Sequence, residues 1–305
     1  MDLSICICTF RRPELLGHLL AALGRQSFDG VRAEIVVVDN DPAASGLPVA
    51  RKWSACLPLP IQTVHVPTPN ISMARNAAVH AATGRFILFI DDDESPEPDW
   101  PLHMLRTQAA HKADIVVGPV CPRYHEQAPA WIVAGGFFAP RAHATGDSLR
   151  PDQGYSGNTL IRREMALKLP GPFDPAFGAT GGEDAMFLWD MHGLSARMVW
   201  CAEAAVSEHV PTARTNLAWI LRRAYWGGQT LVRARANRLP PARKAALFAY
   251  LGLRATTQLL LAGAFALCLL PVSRLKAIRW LNTASAQAGK LSAIVGYHNR
   301  EYAAS

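Results

Sequence analysis

Short apolar segments alternate with helical patterns along the first 90 residues of the chain. Residues 3–10 and 34–38 are apolar and rich in β-branched side chains, which predicts two strands buried on both faces. Between them, leucines recur at three- and four-residue spacing from Pro13 onward, which predicts an amphipathic helix. Residues 61–66 and 86–90 predict two further strands. This alternation predicts an α/β fold with a Rossmann-like, mostly parallel sheet flanked by helices.

Acidic residues follow two of these predicted strands. Asp39 comes directly after the second strand, and Asp91, Asp92, Asp93 and Glu94 come directly after the strand that ends at residue 90. Ligands of such sheets bind beyond the carboxyl ends of the strands. Neighbouring carboxylates repel one another unless a cation lies between them, and hard oxygen ligands suit Mg²⁺ or Mn²⁺. The alternative interpretation is a solvated acidic turn that caps a helix.

Residues 70–78 predict a helix with Arg75 and Asn76 near its start. A cation near a helix N-terminus is unfavourable to the helix dipole, so this arginine indicates an external anion, such as a nucleotide phosphate. An exposed arginine in a salt bridge is the alternative. The chain has neither a G-x-G-x-x-G motif nor a G-x-x-x-x-G-K-[ST] motif, which argues against a dinucleotide-binding fold and a P-loop NTPase.

The overall charge points to anionic partners. The 305-residue chain carries a formal net charge of +7. Its six cysteines are scattered, so we expect core thiols in a reducing compartment rather than disulfides or a metal site. The N-terminus has no basic segment before its short apolar run, so we expect no signal peptide and a cytoplasmic protein. Most of the excess positive charge lies beside an apolar segment in the C-terminal third, which disfavours nucleic acid as a partner.

The C-terminal segment, residues 212–305, combines basic, aromatic and apolar residues. Residues 255–272 contain no charged side chain, and this length is at the lower limit for a membrane-spanning helix. Basic residues flank the segment on both sides, with Arg254 before it and Arg274 after it. A shallow or re-entrant anchor on an anionic membrane surface fits this pattern better than one crossing. A buried helix and a dimer helix are the alternatives, and the oligomeric state stays open. Residues 296–302 predict a helical end.

The order of several motifs resembles a known family. They are T-F-R-R-P at residues 9–13, V-V-V-D-N at 36–40, the N-x-S-x-A-R-N-x-A segment at 70–78, the triple aspartate, S-G-N-T-L-I-R-R at 156–163, and F-D-P at 173–175 followed by G-G-E-D at 181–184. Together they resemble a family 2 glycosyltransferase with the nucleotide-sugar-binding GT-A fold, over roughly residues 3 to 210. The start of the chain also resembles succinoglycan-type exopolysaccharide glycosyltransferases.

The resemblance implies a set of donor-binding residues. They are Thr9, Arg11, Asp39, Arg75, Asp91, Asp92, Gly157, Asn158 and Arg222. In this interpretation Asp39 bonds the nucleotide base, Arg75 meets the nucleotide or its phosphates, and Arg222 closes over the donor phosphates. Gly157 and Asn158 let the chain approach a sugar. The alternative for the glycine is a bend in a strand, and for Arg222 a solvated basic helix.

The resemblance also implies the metal ligands and the catalytic pair. Asp93 and Asp91 hold Mg²⁺ or Mn²⁺, and His209 is a further ligand, with a structural histidine as the alternative. Asp184 is the candidate base that activates the acceptor hydroxyl, and Glu183 orients the acceptor or the loop. Both residues fall at a predicted helix N-terminus, which stabilises an anion. A helix cap without chemistry is the alternative.

The sequence therefore predicts a metal-dependent inverting glycosyltransferase. It moves one sugar from a nucleotide-diphosphate sugar, with UDP as the expected carrier, to a lipid-linked or saccharide acceptor at the cytoplasmic face of the inner membrane, to which the enzyme binds peripherally or as a monotopic protein. Residues 1–115 form the nucleotide-sugar-binding half, 116–211 the acceptor-binding half, and 212–305 the membrane-associating tail. A sugar nucleotidyltransferase is an alternative, although Arg11-Arg12-Pro13 lacks the glycine-rich loop that such enzymes need. A catalytically dead scaffold is the other alternative.

Overall fold

The computed structural model describes residues 1–178 and 181–297, which form two compact units. The first unit contains Met1–Arg123, Ala139–Ala179 and Glu183–His209, and the second contains Tyr124–Phe138, Thr180–Gly182 and Val210–Ser305. The predicted halves 1–115 and 116–211 thus fall mostly within one unit. The predicted helical end at 296–302 lies outside the described residues from 298 onward.

The first unit is organised around a seven-stranded sheet. In chain order the strands of the structure are β1 (Leu3–Thr9), β2 (Ala33–Asp39), β3 (Ile61–His65), β4 (Phe86–Phe89), β5 (Glu94–Pro96), β6 (Ile115–Val117), β7 (Val120–Tyr124), β8 (Thr159–Arg162), β9 (Met198–Trp200) and β10 (Val206–Val210). The sheet order is β3-β2-β1-β4-β8-β6-β9. Strand β8 is antiparallel to both neighbours, whereas the other pairs are parallel, so the predicted mostly parallel sheet is confirmed.

Helices cover both faces of this sheet. They are α1 (Pro13–Leu23), α2 (Leu47–Ser54), α3 (Ile71–Ala81), α4 (Trp100–His111), α6 (Arg163–Ala166) and α7 (Glu183–Gly193). The short helix α5 (Ala130–Gly135) belongs to the second unit. Alternate residues of β1 enter opposite cores: Ile5 packs in the core that contains leucines of α1, and Cys6 in the core that contains alanines of α3. Burial on both faces explains why the strands are continuously apolar.

The ends of three parallel strands position the residues of the candidate site. β1, β2 and β4 run parallel, so Thr9, Asp39 and the acidic residues after Phe89 reach the same edge of the sheet. Asn70 fixes the start of α3 at that edge, because its side chain accepts a hydrogen bond from the backbone N–H of Met73 at 3.1 Å. A second sheet of order β5-β10-β7 continues directly from the acidic turn.

The second unit is mainly a set of three long helices, α8 (Leu217–Ala236), α9 (Pro241–Leu269) and α10 (Arg274–Ile294). α10 packs against both α8 and α9. A methyl group at Gly228 would come within 2.1 Å of the Ala286 carbonyl oxygen, so the close packing of α8 on α10 requires glycine there. Among the described helices, α9 is long and apolar enough to cross a membrane.

The cysteines are unpaired, as expected, but the prediction of core thiols is wrong for two of them. Cys6 and Cys201 are buried, whereas Cys56 and Cys268 are exposed. Cys268 is exposed because it lies on the outer side of α9, where apolar composition does not mean burial.

Candidate active site

A tight acidic turn joins β4 to β5. The backbone N–H of Asp91 donates to the Glu94 carboxylate at 3.0 Å, and the N–H of Glu94 donates to the Asp91 carbonyl oxygen at 3.1 Å. Glu94 is buried, and Asp91 keeps 45 % of its side chain exposed. The buried Glu94 therefore fixes the conformation of the turn, and the turn holds Asp91 and Asp93 at the sheet edge.

Asp92 points back toward β1. It is buried, and its carboxylate accepts a hydrogen bond from the Thr9 hydroxyl at 2.7 Å. Arg12 donates both to Asp92 at 3.2 Å and to Asp93 at 3.0 Å. The sequence interpretation named Arg12 only as part of a basic turn. Its carboxylate partners are about 80 residues away in the chain, so no local pattern singles it out.

Arg75 bridges two parts of the site. Its guanidinium pairs with the Glu183 carboxylate and lies 3.6 Å from the nearest Asp91 carboxylate oxygen, over the ring of Phe173. Only 9 % of the Arg75 side chain is exposed, so the alternative of an exposed arginine is wrong. Although burial opposes its charge, Glu183 and Asp91 raise the pKa of Arg75. The anions that meet Arg75 are protein carboxylates, and its contact with a nucleotide stays a prediction.

Glu183 and Asp184 occupy the first turn of α7, as predicted. Gly181 and Gly182 precede them with φ of +72° and +94°, a conformation that favours glycine. Glu183 is buried, and one of its carboxylate oxygens has no hydrogen-bond partner among the described residues. Burial raises the pKa of Glu183 to about 7, although the positive charge of Arg75 lowers it. Asp184 is partly exposed, and its charge contributes to raising the pKa of both Glu183 and Asp91.

The crowded carboxyl groups fit a divalent cation. Burial, together with neighbouring acids, raises the pKa of Asp91, of Asp92 to about 6, and of Glu94 well above its ordinary range. A cation beside hard carboxylate oxygens would relieve this repulsion. Residues 1–178 and 181–297 contain no ready-made group of three or more metal-ligating side chains. Mg²⁺ commonly uses one or two carboxylates and completes its shell with substrate phosphates and water.

His209 lies at the margin of this cluster. It is exposed on β10, which is antiparallel to β5 with Glu208 opposite Glu94. The pairing ends at Glu94, because Asp92 and Asp93 lie in the turn that precedes β5. The role of His209 as a metal ligand stays a prediction.

Two predicted contact residues are occupied by the protein itself. The Asp39 carboxylate is fully buried and accepts hydrogen bonds from the backbone N–H groups of Asp41, Gly46 and Leu47 at 2.7–3.1 Å, so it holds the loop that follows β2. The amide of Asn158 is also fully buried. It donates to the carbonyl oxygens of residues 119 and 204 and accepts from the Trp100 indole at 2.8 Å. The protein itself engages both side chains in this structure, and their contacts with a ligand stay predictions.

Gly157, Arg11 and Arg222 occupy three different settings. A methyl group on Gly157 would lie 2.8 Å from a Glu94 carboxylate oxygen and 3.0 Å from one of Asp91, so the glycine admits the acids rather than simply bending the strand. Arg11 has φ of +55° and pairs with Asp41 at 3.4 Å. Arg222 is exposed on α8 in the second unit, and α8 continues as helix through the glycines that follow it.

Sequence comparison relates the chain to a family and to curated relatives. A family model described as Glycosyl transferase family 2 matches residues 4–167. The succinoglycan biosynthesis protein ExoM of Rhizobium meliloti (strain 1021) is 35% identical over 245 residues, which are 80% of this chain and 79% of that protein.

Structural comparison identifies the fold. The mannosyltransferase PcManGT from Pyrobaculum calidifontis, in complex with GDP-Man and Mn²⁺, has a TM-score of 0.64 and 18% identity, covering 96% of this chain and 86% of that one. S. aureus TarS 1-349, in complex with UDP, has a TM-score of 0.57 and 17% identity, covering 98% and 93%. At these identities the likeness shows a shared GT-A architecture and no more.

Proposed function

Because the chain belongs to glycosyl transferase family 2, we propose that it is an inverting, divalent-metal-dependent glycosyltransferase that uses a nucleotide-diphosphate sugar, with UDP as the carrier. The acceptor is a lipid-linked or saccharide intermediate in the assembly of surface polysaccharide or glycolipid, in line with the similarity to a succinoglycan biosynthesis protein. The enzyme works while peripherally associated with the cytoplasmic face of the membrane. The observation that carries the proposal is the meeting of the acidic turn with the Arg75–Glu183 pair and Asp184 at one sheet edge.

Sugar transfer makes two electrostatic demands. The departing diphosphate gains negative charge, and the acceptor hydroxyl must lose a proton as it attacks the anomeric carbon. Asp91 and Asp93, with His209 as a further candidate ligand, would hold Mg²⁺ or Mn²⁺, which supplies Lewis-acid stabilisation of the diphosphate. Arg12, which already contacts Asp92 and Asp93, adds a positive charge at the same place.

Asp184 serves as the base in this proposal. It is partly exposed at the start of α7, where the helix dipole stabilises a carboxylate, and it is near enough to Asp91 to affect its pKa. Glu183 is buried and holds Arg75, so it positions the site and does not receive the acceptor proton. A base that acts opposite the departing diphosphate gives a single displacement, and therefore inversion at the anomeric carbon.

The first experiment is a binding panel. Thermal shift and calorimetry with UDP, GDP, dTDP and CMP, each with Mn²⁺, Mg²⁺ or EDTA, identify the ligand that stabilises the folded chain. We expect a metal-dependent shift with UDP. Asp93→Ala should remove the metal-dependent part of that shift, and the matched control Glu164→Gln, on a side chain that is 70% exposed, should retain it.

The second experiment separates chemistry from binding. Asp184→Asn should leave UDP-sugar affinity within a few-fold and lower transfer, or slow donor hydrolysis where no acceptor is added, by about 10²-fold or more. Loss of donor binding in Asp184→Asn would place this residue in the nucleotide pocket. No transfer by the parent chain, together with unchanged function in cells of both Asp93→Ala and Asp184→Ala, would favour a catalytically dead scaffold.

A further inference from the structure

Helix α9 is apolar on its outer side. Leu253, Leu260 and Leu267 are 75%, 69% and 74% exposed, and their seven-residue spacing places them in one stripe along the helix. The residues that α9 buries are mostly small, among them Ala262 and Ala266. A helix of a water-soluble unit normally shows the reverse distribution. Contiguous exposed leucines therefore indicate a partner surface.

The leucine stripe contains no polar group that would need water as a hydrogen-bond partner. Thr257 lies between Leu253 and Leu260, and its hydroxyl donates to the Leu253 carbonyl oxygen at 3.0 Å, so it needs no external partner. The apolar surface continues into the turn after α9, where Leu270 and Val272 are 56% and 76% exposed.

The packing of α10 argues against a transmembrane course for α9. The uncharged residues 255–272 would extend about 27 Å as a helix, close to the hydrocarbon thickness of a bilayer. However, α10 runs antiparallel along α9: Phe265 stacks on Trp280 with ring centroids 4.7 Å apart, and Gly252 lies beside Ile294. If α9 crossed the membrane, Arg279 and other polar residues of α10 would enter the hydrocarbon at the same depth, which is strongly unfavourable.

Helix α10, which packs on α9, carries groups suited to lipid headgroups. Lys276, Arg279, Trp280 and Thr283 line an open cavity of about 310 Å³, and the Phe265–Trp280 stack joins it to the apolar surface of α9. Tryptophan and basic residues are typical of the membrane interface, where lysine and arginine bind lipid phosphates.

We propose that the α9–α10 hairpin lies in the plane of an anionic phospholipid membrane. The leucine stripe of α9 inserts among the acyl chains, and the Lys276–Arg279–Trp280 cavity receives a lipid phosphate. This inference deepens the proposed function and rests on its placement of the enzyme at a membrane. It distinguishes docking on one leaflet from crossing and assigns the contact to named side chains.

Vesicle flotation of the full chain tests the surface. We expect binding to phosphatidylcholine vesicles that contain phosphatidylglycerol and weak binding to phosphatidylcholine alone. The triple variant Leu253→Gln/Leu260→Gln/Leu267→Gln should bind roughly 100-fold more weakly. The control Leu167→Gln/Leu194→Gln alters leucines that are 39% and 40% exposed in the sheet-containing unit and should bind like the parent. Lys276→Ala should reduce only the part of binding that depends on the anionic lipid.

Cysteine labelling tests the topology. Tyr250→Cys and Arg274→Cys flank the apolar segment and are made separately with Cys56→Ser and Cys268→Ser. An impermeant maleimide is added to inverted and right-side-out membrane vesicles, and labelling is located by peptide mapping. In-plane docking predicts that both positions react in the same vesicle orientation. Reaction in opposite orientations would show a crossing and overturn the proposal.

The two proposals fail in different assays. Asp93→Ala should lose metal-dependent UDP binding and still bind vesicles, whereas the triple leucine variant should bind UDP and not vesicles. The full chain could instead fail to bind vesicles and form a dimer in light scattering that the leucine substitutions dissociate. That result would show that a second copy covers the stripe and that membrane docking is wrong.

Discussion

Replacing Arg75 by methionine should destabilise the sheet-containing unit in a way that depends on pH. The guanidinium is the partner of the buried Glu183 carboxylate, and it also lies beside Asp91. Burial raises the pKa of Glu183 from 4.5 to about 7, and Arg75 opposes that rise. Without Arg75 the pKa of Glu183 must move higher still, because burial and the charge of Asp184 remain.

The sign and size of the pH effect on the free energy of unfolding follow from proton linkage. An acid whose pKa is raised in the folded state stabilises folding less as pH increases, because the unfolded chain releases the proton first. In the parent chain this loss extends from about pH 4.5 to about pH 7. In Arg75→Met it continues above pH 7, so the variant should lose about 1.4 kcal/mol relative to the parent for each further pH unit. The limit is the roughly 3–5 kcal/mol expected when one member of a buried ion pair is removed.

Urea unfolding followed by circular dichroism at pH 6 and pH 9 measures this difference. At pH 6 we expect a loss of about 1 kcal/mol from altered packing, and at pH 9 about 3 kcal/mol more. Glu183→Gln added to Arg75→Met should remove the larger part of this pH dependence and leave the part due to Asp91, which also loses Arg75, and the exposed Arg85→Met should show little change at either pH. Equal destabilisation at both pH values, or failure of Glu183→Gln to remove most of the difference, would refute this account of the pair.

Three further substitutions test the surroundings of the site. Gly157→Ala should push the Glu94 carboxylate, which would lie 2.8 Å from the new methyl group, and weaken Mn²⁺-dependent UDP binding in calorimetry with a smaller effect on stability. Asn158→Leu removes the partner of the Trp100 indole and the side-chain donor to the Ala204 carbonyl oxygen, whereas the Pro119 carbonyl keeps the Val206 N–H, so urea unfolding should show a loss of about 3 kcal/mol. Burial raises the pKa of Glu34, but hydrogen bonds from two hydroxyl groups and a backbone N–H outweigh it and set the pKa below its ordinary value. Glu34 thus stabilises the fold at neutral pH, and this stabilisation is lost as pH falls through its folded pKa. Below about pH 5 the melting temperature of Glu34→Gln should therefore depend less on pH than that of the parent.

The sheet could be predicted because its strands are buried on both faces. Continuous apolar runs located β1, β2, β3 and β4 to within one or two residues at most ends, and Pro13 and the 70–78 segment located α1 and α3. α9 shows the limit of this reasoning. Its apolar composition predicts burial or a membrane contact equally well, and only the packing of Ala262 and Ala266 against the protein reveals which side faces outward.

The site could be located from the sequence more reliably than its contacts could be assigned. The position of acids after strands predicted that Asp91–Asp93 and Asp39 would share a sheet edge. It did not predict which side chains would be satisfied internally, because Asp39 meets backbone groups of the following loop, and Asn158 meets Trp100 from α4. Such partners depend on loop conformation and on contacts between distant segments, which no local pattern encodes. Arg12 was missed for the same reason, because its partners are about 80 residues away.

The composition of the site argues that donor and cation bind together. Six carboxyl groups, those of residues 91–94, 183 and 184, are gathered around the guanidinium groups of Arg12 and Arg75. A diphosphate brought there alone would meet an excess of acidic groups that already raise one another's pKa. A divalent cation changes the sign of the local potential at Asp91 and Asp93. It therefore attracts the diphosphate and also reduces the repulsion between the carboxylates. Since coupling between two ligands is reciprocal, UDP should tighten Mn²⁺ binding by the same factor by which Mn²⁺ tightens UDP binding. UDP affinity that is unchanged in EDTA would mean that the arginines alone hold the diphosphate, and that the acidic turn has another purpose.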